Sequence, residues 1–141
     1  MSQVTLAQAN QIIDAALKVA REKNFQQLTV VVLDAGGHTV ALQREDNSGI
    51  LRVEIATGKA YGALGMGIST RKIGANNTDR PAFLGSVAAA SGGRFVPVAG
   101  GVLILNSDGH VIGAVGVSGD NSDNDEIAAI AGTEAAGLTA A

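Results

Sequence analysis

Apolar residues recur at helical spacing through Leu6, Ala9, Ile12, Ile13, Ala16, Leu17 and Ala20, with Thr5 placed to cap the first turn. That spacing predicts a helix ending near Asn24. The period then changes: LTVVVL, Leu28 to Leu33, is rich in β-branched residues, Asp34-Ala35-Gly36-Gly37 signals a turn, and His38 to Arg44 returns as a second strand. Asp46-Asn47-Ser48-Gly49 breaks this hairpin, and a second helix carries Val53, Ala56, Ala60 and Ala63 or Leu64 along one small, smooth stripe. After Gly65-Met66-Gly67 the pattern loosens. Residues 68–98 hold a short helix around Pro81 to Ala90 between loops. Gly100-Gly101 leads into VLIL, Asn106-Ser107-Asp108-Gly109 turns the chain, and His110 to Val117 completes a second hairpin. Ser122 followed by Asp125 fits a capping box for a last amphipathic helix with Ile127, Ala128, Ile130, Ala131 and Ala135.

Neighbouring strands are joined by hairpins rather than helical crossovers, so the expected class is α+β: an antiparallel β-sheet with flanking helices, in a single domain over residues 1–141. Composition refines this picture. Hydrophobic residues make up 46% and aromatics only 3%, so the core must be built from Val, Ile, Leu and Ala, and 19 glycines let elements approach closely. With 16% charged residues the polar surface is thin for a free monomer, which points to a homo-oligomer. A net charge of −3 and one small basic cluster, Arg71, Lys72 and Arg80, argue against nucleic acid. The absence of cysteine excludes disulfides, thiolate catalysis and Cys-based metal sites. MSQVTLAQAN has no signal-peptide pattern, and the longest apolar run, near Val96 to Leu105, is too short to span a bilayer, so no membrane partner and a cytoplasmic location are expected.

Chemistry-bearing residues are few. His38 and His110 both follow Gly in hairpin turns, where each is an exposed turn residue or a ligand without a histidine partner. Lys59 either sends its head to water or is buried and works on a small ligand. Glu54 lies five positions before it, which does not put the two on one helix face. Arg80, before Pro81, suits an anionic group, and Arg44 does likewise or pairs with Asp46. Gly100 and Gly101 bring amides to a ligand or allow a tight strand entry. The acidic run Asp120, Asp123, Asp125, Glu126 lacks the pattern of a calcium loop and reads as capping at the positive end of a helix, so no metal site is expected. Gly62-Ala63-Leu64-Gly65-Met66-Gly67 is no dinucleotide fingerprint, and neither a phosphate-binding P-loop nor a nucleophile elbow occurs.

Four motifs, VVLDAGGHTVALQRED, EIATGKAY, GGVLIL and DGHVIGAVGVSGDNSDNDEIA, follow one another over nearly the whole chain. Together they resemble the GlcG/HbpS family of haem-degrading and haem-binding proteins, related to the PduO carboxy-terminal domain. The resemblance implies a profilin-like fold, assemblies from dimer to octamer, and haem as a possible cofactor in a pocket between helices and subunits. It places Asp46, Glu54 and Lys59 at motif positions and makes Thr70 the nearest equivalent of a threonine reported near haem in the family. Glu45 stands where Met is usual, and Leu103 where Pro is common. The leading expectation is a haem- or tetrapyrrole-binding protein with a role in haem handling or degradation, using Glu54, Thr70, Arg80, Gly100, Gly101 and His38 around the ligand. A small enzyme or accessory factor acting on an organic acid or related catabolite, with Asp46 and Lys59 as catalytic groups, is the alternative. A structural oligomer without its own ligand is a third.

Overall fold

The computed structural model describes residues 3–141. In chain order the elements are α1 (Leu6–Glu22), β1 (Thr29–Asp34), β2 (Thr39–Arg44), α2 (Arg52–Met66), α3 (Thr70–Asn76), α4 (Pro81–Ala90), β3 (Gly101–Leu105), β4 (Val111–Ser118), α5 (Ser122–Ala135) and β5 (Thr139–Ala140). The strands form one antiparallel sheet in the order β2-β1-β4-β3-β5. The expected α+β class and antiparallel sheet with flanking helices are what the structure shows.

Because strand side chains alternate between faces, the unbroken apolar run of β1 serves two cores. Val30 and Val32 join Val115 and Val117 of β4 against α1 and α5, where Ile12, Ile13, Ala16 and Ala129 are buried. Val31 and Leu33 join Ala114 on the opposite face, against Ala56 and Ala60 of α2. Full burial of a side chain such as Ile12 contributes roughly 1.5–3 kcal/mol, which is why these two layers carry the fold. The α2 layer is built differently, from near-contact of backbones: a Cβ on Gly116 would overlap the Ala56 carbonyl, and one on Gly101 the Lys59 carbonyl. Small residues let α2 lie directly on β3 and β4.

Helix ends follow local chemistry. Thr5 and Gln8 form a reciprocal capping box at α1, and Gly67, with φ of +74°, ends α2 in the left-handed conformation. The expected capping box of Ser122 and Asp125 is corrected: Asn121 is the cap of α5, its side-chain oxygen accepting the Asn124 amide at 2.8 Å. That frees Asp125 for another role. The region 68–98 holds α3 as well as α4. His38 falls in the turn, one residue before β2, where Asp34 Oδ1 accepts the Gly36 and His38 amides at 2.9 and 3.0 Å.

Candidate functional site

Helix α2 divides the chemistry between its two faces. On the face toward β4, Lys59 is 2% exposed and Asp125 1%. The Lys59 ammonium donates to Asp125 Oδ2 at 3.1 Å and to the Val117 carbonyl at 2.9 Å, while Asp125 Oδ1 accepts the Asp120 amide at 2.9 Å. Burial pulls the Lys59 pKa down and pushes the Asp125 pKa up, and their mutual attraction opposes both shifts. Gly100 explains itself beside them. Its φ of +125° favours glycine, and a Cβ there would stand 2.7 Å from the Lys59 nitrogen and 2.8 Å from the Val117 carbonyl. Gly101 donates its amide to the Thr70 hydroxyl at 2.9 Å, and Thr70 is fully buried, so this pair tethers α3 to the start of β3.

On its outer face α2 borders a groove of about 260 Å³ whose walls include Tyr61, Met66, Val87, Ala90, Arg94 and Phe95. A second cleft of about 160 Å³ lies between α2 and the β1–β2 turn, lined by Ala35, Gly36, Gly37 and Leu64. Tyr61 and Gly65 line both, so the two clefts meet along α2. The Arg94 guanidinium lies over the Tyr61 ring, 4.0 Å from its centre, and its Nε donates to the Ser91 carbonyl at 2.9 Å. A Cβ on Gly37 would stand 2.8 Å from Tyr61 Cε2, so the ring packs on bare backbone. This arrangement offers apolar walls, one cation and two side chains of haem-ligating type, Tyr61 and Met66.

The other expected site residues are dispersed. Asp46 is exposed and borders a separate polar cleft with Arg21, Gln27, Arg44, Glu45 and Asn47; Arg44 donates to the Ser48 carbonyl. Lys59 does not line that cleft, and the structure does not bring these two together there. Glu54 is exposed in the first turn of α2, and Arg80 stacks on Phe83 at 4.3 Å. His38 is exposed with its Nδ1 3.2 Å from Asp34, and a Cβ on Gly36 would touch its ring, which puts it at the rim of the smaller cleft. The acidic run serves tertiary contacts more than capping: Asp123 and Glu126 pair with Arg71, Asp125 with Lys59, and Asp120 accepts the Gln26 amide. Among the described residues no group of three His, Cys, Asp or Glu could hold a metal ion. No helix among them is long and apolar enough to cross a membrane.

Sequence reasoning missed Tyr61, Met66, Arg94 and Phe95. The available signal was scarcity, since Tyr61 is the chain's one tyrosine and Met66 one of two methionines.

Comparison with known proteins gives the chain a family and a fold. The family described as "Haem degrading protein HbpS-like" matches residues 4–134. A Citrobacter freundii relative, described as an uncharacterized 15.0 kDa protein in the dhaT-dhaS intergenic region, is 35% identical over 127 residues, covering 89% of this chain and 87% of the relative. Among solved structures, Klebsiella pneumoniae protein ORFY has a TM-score of 0.88 at 28% identity, over 97% of this chain and 92% of that one. HbpS has a TM-score of 0.80 at 26% identity, over 95% and 90% of the two chains. PduOC, solved in complex with haem, has a TM-score of 0.86 at 24% identity over 96% of each chain, a likeness of fold. With 131 of its positions spanned by the family match, the chain belongs to the HbpS-like family of haem-degrading proteins.

Proposed function

We propose that the chain binds haem or a related tetrapyrrole, and that the ring lies in the groove beside α2. The observation that carries this reading is the larger cleft's apolar wall of Val87, Ala90 and Phe95 beside Tyr61 and Met66, with the Arg94 cation at one side. The haem-degrading description of the family supports it, and the PduOC complex indicates that a protein of this fold can hold haem. The chemistry of the lining fits the group. Val87, Ala90 and Phe95 would bury part of the macrocycle, Arg94 would meet a carboxylate, and Tyr61, Met66 and the rim residue His38 are of the types that ligate iron. Bound haem would supply one-electron and oxygen chemistry, while the chain orients the ring and limits its exposure to water.

We also infer that the chain assembles with copies of itself. Helix α4 carries no charged side chain between Pro81 and Ala90, and none of its residues is buried. A ten-residue helix is marginal alone in water, so an apolar one needs a covering surface.

Titration of the purified protein with haemin tests the ligand reading. A saturable shift of the haem absorption band is expected, and Val87→Asp, which places a charge on the apolar wall, should remove most of it. An unsaturable titration of the unaltered protein, or a Val87→Asp variant that binds as well, would sink this placement. Light scattering on the same samples should give a mass that is a multiple of 14.1 kDa; a single-chain mass overturns self-assembly.

A further inference from the structure

Resting on that reading, we infer that Tyr61 supplies the oxygen that ligates the iron, with Arg94 as the neighbouring anchor for the ring's carboxylates. The geometry of the groove singles out this side chain. A ligand in either cleft meets the residues that the two clefts share, and these are Tyr61 and Gly65. Gly65 has no side chain, and a Cβ there would meet nothing within 4 Å, so it contributes open space. Tyr61 is then the one shared residue with a donor atom. The competing donors are not shared: Met66 lines only the larger cleft, and His38 lines neither and is engaged with Asp34 at 3.2 Å.

The surroundings of Tyr61 favour a fixed donor. Its ring packs on the Gly37 backbone, where even a methyl group would intrude, and carries the Arg94 guanidinium at 4.0 Å. Arg94 is in turn held by the Ser91 carbonyl. A ring held in this way loses little side-chain freedom when it binds a metal, which favours pre-organised ligation. Chemistry agrees with position. Ferric iron is a hard cation that prefers an anionic oxygen to a thioether sulfur. Where the phenol displaces an iron-bound water, the iron–oxygen bond replaces that water, the phenol proton leaves to solvent and one proton is released per haem bound; where it displaces a bound hydroxide, the proton leaves with it as water. The remaining charge of the ligand lies in its carboxylates, and a planar guanidinium at the edge of the groove matches their geometry.

Ferric haemin and metal-free protoporphyrin, titrated separately into the unaltered protein and Tyr61→Phe, test the assignment. The substitution keeps the ring and its packing and removes only the donor oxygen. Tyr61→Phe should bind protoporphyrin like the unaltered protein, lose haemin affinity by at least about tenfold, the factor set by 1.4 kcal/mol, and lose the electron-resonance signature of phenolate-ligated ferric haem. A signature lost in Met66→Leu or His38→Ala but kept in Tyr61→Phe would give the iron to another donor and overturn the assignment. If Tyr61→Phe binds haemin with unchanged affinity and spectrum, the donor assignment is overturned while the groove reading stands. Loss of both ligands by Tyr61→Phe also overturns it, because the ring would then matter only as packing. Failure of the unaltered protein to bind either ligand overturns the groove reading itself.

Discussion

Lys59 and Tyr61 stand two positions apart on α2, yet Lys59 is 2% exposed inside an ion pair and Tyr61 borders a groove open to a ligand. Both environments are made with glycine, used in opposite ways. On the inner face Gly100, Gly101 and Gly116 remove side chains so that backbone and a buried charge fill the space. On the outer face Gly65 removes a side chain and the space stays open. Lys59, the more suggestive residue in sequence, is sealed by its partners, whereas the tyrosine is left at the junction of two clefts.

Removing one partner of the sealed pair should have the largest effect. Lys59→Met leaves the Asp125 carboxylate buried without its cation, and a loss of about 3–5 kcal/mol in denaturant unfolding is expected. The double variant Lys59→Met with Asp125→Leu should recover most of that loss, since two apolar groups leave no charge unpaired. A near-neutral single variant would mean that the pair is not sealed and would erase the contrast between the faces. Next in size is Gly100→Ala. The left-handed backbone and the approach of a methyl group to the Lys59 nitrogen and Val117 carbonyl should cost about 1–3 kcal/mol by the same measurement.

The same substitution on the outer face should have the opposite sign. Gly65 lies inside α2 with nothing within 4 Å of an added Cβ, so Gly65→Ala should stabilise by about 0.4–1 kcal/mol in thermal or denaturant unfolding. It should also weaken haemin binding, because the methyl group projects into space that both clefts share. Stabilisation without any change in binding would separate Gly65 from the groove.

These contrasts explain what could be read in advance. The β1 run, both hairpins and the Pro81–Ala90 helix are local patterns with clear punctuation, and the structure contains them. Helix α3 is seven residues long and buries only Thr70 and Ile73, too little to set up a periodic stripe. Strand β5 has two residues and exists only by pairing with β3. At α5, Asn121 and Ser122 are both good caps, and local spacing does not choose between them; once Asn121 takes the role, Asp125 is available to Lys59, 66 positions away. No local pattern announces such a pair. The groove is assembled from α2, α4, the segment after α4 and a hairpin turn, so its residues come together only when the chain is folded.

The smallest expected effect lies where the sealed centre meets water. Asp120 gives its amide to Asp125, while its carboxylate accepts the amides of Gln26 and Asn121 and the side-chain amide of Asn124. Those bonds, that from Gln26 foremost, hold the Asp120 pKa below its ordinary value. A carboxyl whose folded pKa is depressed binds protons less readily folded than unfolded, so its stabilisation is complete above the unfolded pKa of about 4 and disappears as pH falls through the folded value. Denaturant midpoints of the unaltered protein should therefore fall in this acid range. Asp120→Asn, which keeps the shape and one acceptor oxygen but does not titrate, should fall less steeply there. Equal slopes would show that the acid sensitivity arises elsewhere, with Asp34, also depressed by its turn amides, as the next carboxylate to replace. The sealed face would then be insulated from the pH of the solvent even at Asp120, whose amide is hydrogen-bonded to the Asp125 carboxylate.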